Sequence, residues 1–177
     1  RNSPTPLFKS INSTETSTLD GVITYPNTVE TPLRNVHVNL LQQDTLIMET
    51  NTNADGHYQF NDINNGVFTM LPSSPKPWGG VTASDVLLYR KHIANIIHLD
   101  GIYLNSGDVN GSGDVTAVDV LLIKKRIAHL IDAFSAGDWL FNNQPVTING
   151  TNVTYNFNGI CYGDANGSYI PPIDDNK

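Results

Sequence analysis

The chain has 177 residues, 39% of them hydrophobic, enough for a core in one large or two small domains. A formal charge of −7 and a pI near 4.9 argue against nucleic acid as a partner and suit a cation-binding protein. No apolar run reaches the roughly 18 residues of a membrane span, so none is expected.

Residues 1–17 are rich in Ser, Thr, Asn and Pro, with one apolar patch at Leu7-Phe8 and Ile11. They read as an arm, either a flexible linker or a segment that pairs with the edge strand of a neighbour. Residues 18–72 form a β-domain. Apolar residues alternate or nearly so over 19–25, 36–40, 45–49, 58–60 and 66–70, with turn residues between these runs. Asp55-Gly56 is a hairpin turn signal. The opening Gly21-Val22, the stretch Pro32-Leu33-Arg34-Asn35-Val36, and Asp55-Gly56-His57-Tyr58-Gln59-Phe60 resemble the transthyretin-like, or carboxypeptidase-regulatory, β-sandwiches. That resemblance implies a small antiparallel sandwich acting as a spacer.

Residues 73–133 carry the chemistry. Asp108, Asn110, Ser112, Asp114, Thr116 and Asp119 stand at positions 1, 3, 5, 7, 9 and 12 of a 12-residue loop, with Gly113 at position 6. Calcium takes about six to eight oxygens, and such a loop wraps it by alternating ligands. Gly113 allows the sharp turn. Asp114 would give its backbone carbonyl, Thr116 a hydroxyl or a water, and Asp119 the closing carboxylate. The loop runs into a helical, one-faced apolar pattern at 120–131, which Thr116 is placed to cap.

The loop and helix have an echo. Residues 81–97 align with 115–131 at an offset of 34, with 11 of 17 positions identical, the mark of a duplicated unit. These two repeats resemble a type I dockerin over about residues 74–133. Dockerins close the loop with Asp, as Asp119 does. The resemblance implies calcium binding and docking onto a cohesin partner. Basic residues late in each repeat, Arg90-Lys91 and Lys124-Lys125-Arg126, would touch the partner or form a solvated helix face. The positions dockerins use for partner choice fall on Ala83-Ser84 and Ala117-Val118, smaller and more apolar than the usual hydroxyl pairs.

The first repeat departs from this pattern. Its loop positions 1, 3 and 5 fall on Ser74, Lys76 and Trp78, and neither Lys nor Trp offers an oxygen. Its later half, including Gly80, Thr82 and Asp85, is intact. A matching front half stands elsewhere: Gly163-Asp164-Ala165-Asn166-Gly167-Ser168 repeats Gly107-Asp108-Val109-Asn110-Gly111-Ser112. The prolines Pro171 and Pro172 then forbid the usual exiting helix. A second, split calcium site is therefore expected, with Asp164, Asn166 and Ser168 supplying the front and Gly80 (carbonyl), Thr82 and Asp85 the rest. It could close within one chain or between chains.

Residues 134–177 return to β-structure at 138–141, 145–148 and 152–157, with Asn149-Gly150 as a hairpin signal. An isolated hairpin is marginal in water, so these strands must pack on the helices, join the first sheet or pair with another subunit. Catalytic motifs are absent from the sequence: the five histidines lack ligand spacing and read as surface residues, and no nucleophile or phosphate-binding motif occurs. The lone Cys161 reads as a buried small hydrophobe. No signal peptide pattern is present, and calcium loops of this type suit extracellular calcium levels, so an exported, mature chain is expected.

The sequence as a whole points to an α+β, multi-segment fold: a small antiparallel β-sandwich, a dockerin-like helix pair and a terminal β-hairpin. The function it favours is non-enzymatic, extracellular and structural. It would be a calcium-binding protomer joining identical subunits into a filament or adhesin, or else a module docking a secreted enzyme or surface protein onto a cohesin.

Overall fold

The computed structural model describes residues 16–173; the expected arm at 1–17 lies almost entirely outside them. β1 (Ser17–Thr24) alternates between buried and half-buried residues, so Leu19 and Ile23 point into the core with no exposure. β2 (His37–Gln42) and β3 (Thr45–Asn51) form an antiparallel hairpin. Its turn residues Gln43 and Asp44 both have positive φ, 51° and 59°, the mirror-image turn that matches strand twist.

β4 (His57–Ile63) pairs with β1, whereas β5 (Gly66–Ser73) pairs with β2. Two sheets result, and the chain crosses between them on either side of β4. Asp55-Gly56 is therefore not a hairpin turn within one sheet. It is the corner between β3 and β4, held by the Asn53 side chain, which accepts from the backbone N–H groups of Asp55 (2.9 Å) and His57 (3.0 Å).

The late strands complete both sheets. β6 (Trp139–Phe141) pairs with β9 (Phe157–Cys161), β7 (Val146–Ile148) with β5, and β8 (Val153–Thr154) with β1. The strand orders are β4-β1-β9-β6, with β8 also on β1, and β3-β2-β5-β7. β1 pairs in parallel with both β8 and β9, the two non-antiparallel ladders of the described residues. Asn149-Gly150 thus hands the chain from one sheet to the other instead of closing a terminal hairpin. The physical reason is burial: Val146 and Ile148 both face the sandwich core, which a free hairpin would leave wet. Joining the first sheets is one of the three outcomes the sequence allowed. Between β8 and β9 the Tyr155 backbone bulges onto β1, where a Cβ on Gly21 would lie 1.9 Å from the Tyr155 carbonyl oxygen. Only glycine fits there.

The inner faces of both sheets share one core, with Tyr25, Leu33, Val38, Tyr58, Phe68 and Ile160 at its centre. Residues from before and after the helices build it together. Three helices stand between β5 and β6: α1 (Ala83–Ile93), α2 (Gly101–Asn105) and α3 (Ala117–Ile127). α1 and α3 begin with the same reciprocal cap. Thr82 and Thr116 accept from the first turn, while Asp85 and Asp119 reach back to the cap N–H. A second core of Val86, Tyr89, Val109, Val120, Ile123 and Phe134 lies between the helices, and Trp78 packs against both cores.

Candidate metal centre

The contiguous loop at 108–119 is organised by its own carboxylates. Asp108 Oδ1 accepts from the Ser112 N–H (2.9 Å) and Oδ2 from the Gly113 N–H (2.7 Å). Asn110 Oδ1 also accepts from the Ser112 N–H, at 2.8 Å. Gly111 and Gly113 hold φ of 72° and 97°, which the chain needs to turn back on itself. At the far end Asp119 has no exposure; its Oδ1 accepts from the Asn110 N–H at 3.3 Å. Its Oδ2 takes both the N–H and the hydroxyl of Thr116, each at 2.9 Å. The Asp114 side chain is exposed, and its carbonyl accepts from Ser112 Oγ at 3.2 Å.

Residues 164–168 repeat the three backbone N–H bonds of this arrangement. Asp164 Oδ1 accepts from the Ser168 N–H (3.3 Å), Asp164 Oδ2 from the Tyr169 N–H (3.2 Å), and Asn166 Oδ1 from the Ser168 N–H (2.8 Å). Gly167 has φ of 62°, matching Gly111. The structure brings this half-loop against the start of α1 in the same chain: Asp85 Oδ1 accepts from the Ala165 N–H at 3.0 Å. Asp85 Oδ2 accepts from the Thr82 N–H (2.8 Å) and hydroxyl (3.1 Å), as Asp119 does from Thr116. Tyr169 covers Gly79 and Gly80 at the junction of the two halves. Gly80 has φ of 77°, and a Cβ on it would lie 2.2 Å from the Tyr169 Cβ.

Residues 74–78 hold the half-loop in place. Lys76 is buried and its Nζ donates to the Pro172 carbonyl at 2.8 Å; Tyr169 donates to the Pro77 carbonyl at 3.1 Å. Trp78 donates from Nε1 to the Tyr162 carbonyl at 2.7 Å. The sandwich holds the half-loop from the other side. The Tyr25 hydroxyl donates to Asp164 Oδ2 at 2.6 Å and accepts from the Cys161 N–H. Burial above all, with Cys161 and Asp164 adding to it, pushes the Tyr25 phenol far above its ordinary value, so it stays a donor. Burial likewise raises the Asp85 carboxyl, which hydrogen bonds from Thr82 oppose and nearby Asp164 reinforces.

The donor chemistry suits a hard cation. Among the described residues no three His, Cys, Asp or Glu side chains converge as a metal group. Each loop instead combines two carboxylates with amide, hydroxyl and backbone oxygens, an all-oxygen set of the kind calcium takes. Asp85, Asp119 and Asp164 are fully buried, and no cationic side chain pairs with them among the described residues. Buried charges of this kind call for a counter-ion. Calcium in these loops would supply that charge and draw the oxygens of each loop together.

Residues 79–128 match the Dockerin type I domain. Domains of that family generally bind calcium and dock onto cohesin proteins, which supports a protein–protein assembly role for this region. The match begins at Gly79, within the first loop, and leaves the 164–168 half-loop outside it. No curated protein matches the chain.

Other predicted residues fall as follows. Arg126 is not part of a solvated face. It is buried, with its guanidinium carbon 4.1 Å from the Trp78 ring centre and 4.5 Å from that of Phe134, and it pairs with Asp138 at 2.6 Å. Arg90, Lys124 and Lys125 are exposed. His37 and His57 are half-buried, lying 3.7 Å from Glu49 and 3.9 Å from Asp20; His98 and His129 are exposed. His92 is half-buried and accepts from the Leu99 N–H. Cys161 is fully buried, and burial pushes its thiol up to about 12. Tyr25 and Tyr169 were not singled out in the sequence. Tyr169 follows the half-loop directly, where the contiguous loop has Gly113, whereas Tyr25 has no motif around it and only the tertiary fold sets it on the half-loop.

Proposed function

We propose that this chain is a non-enzymatic, calcium-stabilised docking module that binds a cohesin-type protein through the paired faces of α1 and α3. One observation carries this reading. Equivalent positions of the two repeats are left exposed in the same way. Leu87 and Leu121, 34 residues apart, are 49% and 52% exposed. Arg90 and Lys124 stand beside them, also exposed. Ala83-Ser84 and Ala117-Val118, the first turns of the helices, are exposed as well. Such doubled apolar and basic surface on short helices is a recognition face, since apolar side chains repeated at matching positions gain nothing by facing water. The sandwich, with its likeness to transthyretin-like spacers, would carry the module. Export to a calcium-rich exterior fits its loops.

The test is binding of the intact chain to a panel of cohesins in calcium and in chelator. Leu87→Asp with Leu121→Asp should abolish a complex that wild type forms. A complex indifferent to both substitutions would remove the reading.

A second reading, a protomer of an extracellular filament, is supported by β3. That strand is an edge of its sheet, mostly exposed, with Leu46 54% and Ile47 46% accessible. An apolar edge strand is a template for pairing with another chain. Negative-stain microscopy in millimolar calcium tests it: filaments would support this reading, and single particles would count against it.

A further inference from the structure

We infer that the chain holds a second calcium ion in a loop assembled from two distant segments of one chain. Asp164, Asn166 and Ser168 supply its front, and Gly80, Thr82 and Asp85 its rear. The inference rests on the calcium reading of the dockerin match, and goes beyond it, because half of the ligands lie outside the matched residues.

Three observations carry it. First, each half has the local conformation of its counterpart in the contiguous loop. The bonds from N–H groups to Asp164 and Asn166 reproduce those to Asp108 and Asn110, and Thr82–Asp85 reproduces Thr116–Asp119. Second, the halves are docked on each other: the closing carboxylate Asp85 accepts from the Ala165 N–H through Oδ1, one loop position before the Asn110 N–H that meets Asp119 Oδ1 in the contiguous loop. Third, Asp85 and Asp164 both have zero exposure and no cationic partner among the described residues. Two carboxylates buried together repel unless a cation lies with them.

The residues at the first repeat's own front positions are engaged elsewhere. Ser74, Lys76 and Trp78 would have stood at positions 1, 3 and 5. Lys76 instead holds the Pro172 carbonyl, and Trp78 packs between the two cores. Residues 76–78 thus strap down the chain on either side of the half-loop. Calcium at this place is then a clamp. It ties the end of the chain to α1, while Tyr25 ties the same carboxylate to the sandwich.

The test is calcium titration of the intact chain by calorimetry and native mass spectrometry. Wild type should take two ions. Asp164→Asn, which keeps the side chain's size and its acceptor for Tyr25, should take one. Asp119→Asn should also take one, the other site remaining. Asn166 is exposed, so Asn166→Ala spares the core; it should weaken one site by about tenfold or more and leave the other unchanged. A second readout is alkylation of Cys161, buried three residues before Asp164. It should be slow in calcium and at least about tenfold faster in chelator, and Asp164→Asn should remove that protection. One ion in wild type, lost in Asp119→Asn and untouched by Asp164→Asn, would overturn the assembled site and leave the docking reading standing. So would two ions that survive Asp164→Asn. No ion at all would overturn both.

Discussion

Asp119 does two jobs through its two oxygens. One caps α3 through Thr116, and the other receives the Asn110 N–H across the loop. Losing the cap alone costs about 1 kcal/mol. Calcium at 100 times its dissociation constant adds roughly 2.7 kcal/mol to stability. Asp119→Ala should therefore lower the melting temperature in calcium more than replacement of any histidine, a comparison that thermal scans of the variants would make. His129 is exposed and His92 makes one hydrogen bond to a loop N–H, so both are cheap to replace. Gly21 is decided by space alone. With a backbone oxygen 1.9 Å from its missing Cβ, Gly21→Ala must push β8 and β9 off β1. Overpacking of this kind costs about 1–3 kcal/mol, readable as a lower midpoint in urea denaturation.

At the scale of elements, α1 and α3 are copies with different supports. α3 receives its loop from the chain just before it, while α1 receives half of its loop from residues 164–168. The C-terminal end of α3 is fixed by Arg126, which packs against the edge-to-face pair Trp78 and Phe134 and pairs with half-exposed Asp138. A lysine there keeps the charge but loses the guanidinium's contact with the two rings. Arg126→Lys should destabilise the fold by about 1–2 kcal/mol, measured by chemical denaturation, although it is formally conservative. Lys125 next to it is exposed, and Lys125→Ala should be neutral within about 0.5 kcal/mol. The basic run late in the repeat is thus split between packing and solvent. Sequence could not divide it, because the rings that take Arg126 come from positions 78 and 134.

At the scale of the whole molecule, the last segment closes everything that precedes it. β9 lies in the first sheet, Ala165 in the helical core and Asp164 between the two. Deleting residues 163–177 removes the buried Asp164 and Ala165 and should lower the melting temperature and expose Cys161 to alkylation. By contrast, chelation of the intact chain should reproduce part of that effect without any deletion. Much of this was legible in the sequence. Spacing alone marked Asp108 to Asp119 as a calcium loop, because metal ligands in a short loop are set by local geometry. Repetition marked the second helix and the missing front half, and alternation marked the early strands. What the sequence left open was everything that depends on who lies beside whom. Asn149-Gly150 has the local chemistry of a hairpin, yet Val146, Ile148 and Phe157 find their burial on two different sheets. Arg126 has the composition of a solvated residue, yet two distant rings enclose it. The halves at 80–85 and 164–168 were readable as complementary, but their meeting within one chain is a property of the tertiary fold. Local rules fix which oxygens can serve a cation; only the packing of the sandwich against the helices brings those two sets within hydrogen-bonding reach.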